Sequence, residues 1–114
     1  MKRLLIPAIA ALFVSNAYSL GSVSGKVKQI RVDENGRTMI FFDKPLSGDP
    51  AACSDKENYG NALAVDASTD GGKAVLSMAL AAKATGSTVT AYGYGKCGLY
   101  GGNVVESWNH GFLL

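Results

Sequence analysis

The side chains best suited to chemistry in this 114-residue chain are a handful of carboxylates, one histidine, His110, and two cysteines, Cys53 and Cys97. A Ser-His-Asp relay needs its serine on a sharp strand-to-helix turn, and the sequence contains no G-x-S-x-G; H-E-x-x-H is absent as well. Glu106 has the chemistry of a general acid or base, but no second carboxylate is evident as its partner. A lone histidine near a C-terminus is read as a surface or hydrogen-bonded residue. Asp43, Asp49, Asp55 and Glu57 lack the alternate-residue spacing of a calcium loop. Two cysteines and one distant histidine do not make a zinc set. GLYGGN, residues 98–103, opens no helix and precedes no Lys-Ser or Lys-Thr, so it is not a phosphate cradle. The expectation is a protein with no catalytic residues, no metal and no cofactor.

Binding chemistry is better represented. Tyr92 and Tyr94 alternate along one face with Thr88 and Thr90, Trp108 falls on the final strand, and Tyr100 and Asn103 lie in the glycine-rich loop between. Tyr and Trp offer a flat apolar face with a polar tip, suited to a sugar ring or to a partner protein. Tyr92, Tyr94, Tyr100, Asn103 and Trp108 are therefore the candidate ligand-binding residues. The competing reading makes the aromatics part of the sheet wall, since strands are rich in them anyway.

The compartment follows from the first residues. Lys2 and Arg3 precede an apolar run, Leu4 to Val14, and then SNAYS, the pattern of a secretory signal peptide over residues 1–19. An apolar run this short, interrupted by Pro7, does not span a bilayer. The expected mature chain, 20–114, carries nine basic against nine acidic residues once Lys2 and Arg3 are set aside. That near-zero balance removes support for nucleic acid or an anionic membrane as partner. In an exported chain, periplasmic or secreted, the cysteine pair is expected as a disulfide, Cys53 to Cys97.

The elements that must position these residues are readable from periodicity. Gly21–Val32 forms a long strand whose apolar parity slips near Lys28 and Gln29, which predicts a β-bulge. Asn35-Gly36 marks a hairpin into a second strand, Thr38–Phe42, apolar on both faces. Pro45–Gly60 reads as a loop, and Asn61–Asp66 as a third strand. Gly72–Ala84 is a helix, with Val75, Met78, Ala79 and Ala82 on one face and Leu76 and Leu80 widening the stripe, so most of its surface should be covered. Ser68 or Thr69 caps it and Gly86 stops it. Strands from Thr88 and from Val104 to Phe112 complete a single domain. The order β-β-β-α-β-β, mainly β with one helix, matches a five-stranded OB-fold-like barrel; the alternative is an open α+β sheet with the helix across one face.

The run GGKAVLSMALAAKATGSTVTAYGYGKC, followed by Glu106 and Trp108 in the last strand, resembles small exported bacterial proteins related in pattern to the B subunits of subtilase-cytotoxin-type AB toxins. The resemblance extends from Val23 through Leu113. It implies an OB-fold, a single disulfide and a glycan-binding subunit of a homo-oligomeric, pentameric ring. No sugar-contacting serine or aromatic carries over residue by residue. The expected function is an exported binding module for a glycan or protein; the alternative is a periplasmic structural or inhibitory protein contacting another envelope protein.

Overall fold

The computed structural model describes residues 20–114; the signal peptide expected over 1–19 lies outside the described residues. Eight elements follow in chain order: β1 (Gly21–Val32), β2 (Arg37–Phe42), β3 (Ser47–Gly48), α1 (Lys56–Tyr59), β4 (Ala62–Asp66), α2 (Asp70–Thr85), β5 (Thr88–Cys97) and β6 (Glu106–Leu113). The strands form one sheet in the order β2-β4-β6-β5-β1-β3, and β1 also pairs with β2. Every strand except β3 therefore has a neighbour on each side. All pairings are antiparallel except that of β4 with β6, made at Ala64 and Ser107.

The parity slip in β1 is a register shift between Val27 and Gln29 where the strand passes to β2. The bend lets one strand serve two partners: residues 22–26 pair with β5, and Val27 to Val32 with β2. The Asn35-Gly36 turn closes with Gly36 N–H donating to Asp33 O at 2.9 Å. β2 is buried on both faces, as its composition requires. Ile40 and Phe42 join Val23, Leu63, Val89 and Trp108 in the main core, whereas Met39 turns to a second cluster with Ala62, Ala64 and Val105. That outer cluster is covered by Tyr59 of α1 and by Leu99, Tyr100 and Val104 of the β5–β6 loop.

Two elements depart from the expected five strands and one helix. The segment 45–60, read as irregular, contains β3, which pairs with the start of β1, and α1, which the Asp55 carboxylate caps by accepting from the Glu57 and Asn58 N–H groups. Two residues and four residues are too short to show a period.

Helix α2 has the expected ends: Thr69 Oγ1 accepts from Gly72 N–H at 3.0 Å, and Gly86 closes it at φ 69°. Its covering is narrower than its composition predicts. Gly72, Ala79 and Ala82 are buried and Val75 and Met78 pack against the core, but Leu80 is 54% exposed. The alanine stripe sets the axis close to the sheet, which leaves the Leu80 side of the cylinder outside.

The disulfide expected between Cys53 and Cys97 is present, with Cα atoms 6.2 Å apart. It joins the segment before α1 to the end of β5, so both layers over the outer cluster are tied together. No described helix is long and apolar enough to cross a membrane.

Candidate functional site

The bulged end of β5–β6 brings together two of the five candidate ligand-binding residues. Register shifts fall between Tyr92 and Gly93 and between Gly93 and Cys97, and Trp108 pairs with Gly93. Tyr94 is 54% exposed; Trp108 keeps 8% exposure, with most of its ring in the core. Together they line a concavity of about 460 Å³ with Lys96, Cys97, Leu99 and Ser107. A second concavity of about 290 Å³ shares Tyr94, Leu99 and Trp108 and runs on to Asn109 and the first turn of α2. The result is an open groove with an aromatic floor, rimmed by an ammonium, a hydroxyl and an amide.

The other three candidates lie elsewhere. Tyr92 sits on the outer sheet face, stacked on His110 with ring centroids 4.8 Å apart; Phe112 meets the histidine edge-on at 5.9 Å. Beside this aromatic row, Ser24 Oγ and Thr90 Oγ1 hydrogen-bond across β1 and β5 at 3.0 Å. Tyr100 covers the outer cluster, with the Arg31 guanidinium 5.7 Å from its ring centre. Asn103 has φ 51°, and its N–H donates to Tyr100 O at 2.8 Å, so the backbone there closes a turn.

The two residues weighed for catalysis, His110 and Glu106, have different surroundings. His110 is exposed, and its Nδ1 lies 3.2 Å from the Asn109 amide oxygen. Glu106 is fully buried, and backbone N–H groups occupy its carboxylate: Gly21 and Gly95 donate to Oε2 at 2.9 and 2.8 Å, and Ala51 to Oε1 at 2.8 Å. Three separate segments converge on that one side chain. Gly93 borders it so closely that any Cβ there would fall on Oε2. Among the described residues, no cluster of His, Cys, Asp or Glu could hold a metal ion. A further concavity of about 280 Å³ is lined by Lys28, Asp43, Lys44, Lys56 and Glu57, charges of both signs that favour no single ligand charge.

Sequence reasoning missed Lys96, Leu99, Ser107 and Asn109 as groove residues and the clamp formed by Glu106. The groove residues become neighbours only through the two bulges. The clamp did leave a trace: an acidic residue between Val105 and Trp108, on the strand that pairs with the one carrying the alternating Gly93 and Gly95.

No protein-family model, curated protein or solved structure matches the chain.

Proposed function

We propose that this chain is an exported, non-catalytic binding module of OB-like architecture that takes a glycan or protein ligand in the Tyr94–Trp108 groove. The observation that carries the reading is the meeting of an exposed Tyr94 with the Trp108 edge in one open concavity rimmed by Lys96, Ser107 and Asn109. An aromatic floor accepts the apolar face of a sugar ring, and rim donors and acceptors suit its hydroxyls. The cyclic pairing β1-β2-β4-β6-β5-β1, with α2 between β4 and β5, supports a five-stranded barrel of OB type. The same order supports the likeness to toxin B subunits, although a shared fold is weak evidence of a shared ligand. The disulfide is compatible with export. Glycan-array binding with Tyr94→Ala as the control tests the proposal: a wild-type signal lost in the variant is the expected result. A wild type silent on every glycan removes the sugar reading, and gel filtration decides the ring-forming version.

A second reading rests on the outer face, where Phe112 is 54% exposed beside the Tyr92–His110 stack. Such a row suits contact with another envelope protein. Pull-down from envelope extracts, with Phe112→Ser as control, separates this reading from the first.

A further inference from the structure

Two of the backbone donors on Glu106 stand in the same relation to the disulfide. Ala51 lies two residues before Cys53, and Gly95 two residues before Cys97. On the first side, Ser54 N–H donates to Ala51 O at 3.0 Å, making a turn that carries Cys53, and Lys56 Nζ donates to the same oxygen at 3.0 Å. On the second, Cys97 is the cross-strand partner of Glu106 itself. None of these contacts involves sulfur, so each can exist in the dithiol. A buried carboxylate holding both segments draws together two cysteines that are 44 residues apart in sequence.

We propose that Glu106 is the positioning residue for oxidation of Cys53 and Cys97: its carboxylate assembles the two cysteine-bearing segments before the sulfur–sulfur bond forms. With glutathione disulfide as oxidant, one cysteine thiolate attacks it, giving a mixed disulfide and one glutathione thiolate. The second cysteine thiolate then attacks the protein sulfur of that mixed disulfide and expels the second glutathione. The two protons lost by the cysteines end on the two glutathione thiols, and the oxidant takes up two electrons. Glu106 acts on the second, intramolecular step, in which holding the groups in place replaces a diffusive search. The inference is independent of what the groove binds.

Glu106→Gln separates positioning from bulk. An amide oxygen can serve the Gly21 and Gly95 N–H groups, but the NH₂ then faces the Ala51 N–H, donor against donor. The Cys53 segment is released while the Cys97 side stays bound. The purified protein is reduced, freed of reductant, mixed with glutathione disulfide, and quenched at intervals for mass spectrometry. The expected result is transient mixed disulfide in wild type, with ring closure slowed about tenfold or more in Glu106→Gln, so that the mixed species accumulates. Leu80→Lys, a change at an exposed position of α2, closes at the wild-type rate. Wild-type closure in a folded Glu106→Gln overturns the proposal. Amide hydrogen exchange on reduced wild type decides the matter even if that variant does not fold. The Ala51 and Gly95 amides stay protected if the clamp precedes the bond; their loss of protection on reduction overturns it.

Discussion

Tyr100 meets two opposing demands. Its ring is needed over Met39 and Val105, and its hydroxyl is buried there without a hydrogen-bond partner. Burial pushes the phenol up to about 12, and the Asp33 carboxylate adds to the rise against the opposing Arg31 charge. The folded pKa therefore lies above the ordinary value of 10.0, so the stability tied to the neutral phenol is complete below pH 10 and declines from there toward 12. Tyr100→Phe keeps the ring and removes the orphan hydroxyl. Its expected effect is neutral to stabilising by up to about 1 kcal/mol near neutrality, and alkaline unfolding should shift to higher pH. Urea titrations at neutral and alkaline pH check both parts, and a loss of more than about 1 kcal/mol at neutrality contradicts the account. Gly93 is the opposite case, a position with no room. Gly93→Ala sets a methyl on the Glu106 carboxylate, which is buried and fixed by three donors. A loss of at least about 2 kcal/mol in chemical denaturation is expected. Neither constraint was readable along the strand: Tyr100 was a candidate ligand residue for its aromatic ring and its place in the glycine-rich loop between the strands, and nothing singled out Gly93. Burial from a distant segment decides both, and pattern along one strand does not report it.

Elements were more legible than sites where a period could be counted. The β1 slip, the Asn35-Gly36 turn and the Gly86 stop each have a local cause, and each stands where that cause puts it. The width of the covered face of α2 has no local cause. Leu76 and Leu80 are as apolar as buried residues, yet how much of a helix is covered depends on how closely its axis approaches the sheet. The two sides of α2 should respond oppositely to substitution. Leu80→Lys, at an exposed position, is expected within about 0.5 kcal/mol of wild type. Ala79→Leu pushes the axis off the sheet and should cost about 1–3 kcal/mol. Thermal melts of the two variants compare them directly, and equal losses contradict the assigned packing.

At the scale of the molecule, one covalent link and a few local charge contacts set the response to conditions. The cysteine pairing was legible because only two cysteines exist. The mainly β character was legible from periodicity, but no feature of β4 or β6 taken alone specifies their short parallel contact. Bonds from Ser68 hold Asp66 below the ordinary carboxylate range, and bonds from Asn58 do the same for Asp55. Their contribution is present above that ordinary range and is lost as pH falls through the depressed values. Acidification should therefore reduce stability, and Asp66→Asn should flatten part of that decline in urea titrations at successive pH values. The disulfide acts on the other side of the equilibrium. Closing a separation of 44 residues restricts the unfolded chain and corresponds to about 4 kcal/mol in the chain-entropy treatment. Removing the link lets the unfolded ensemble expand and expose more surface, so the denaturant slope should rise while stability falls. Urea unfolding of the oxidised protein and of the Cys53→Ala/Cys97→Ala double variant measures both quantities. A loss of up to about 4 kcal/mol with a steeper slope is the expected pair of results. The same loss with an unchanged slope would place the effect in the folded state instead, as release of the Leu99–Tyr100 cover from the outer cluster.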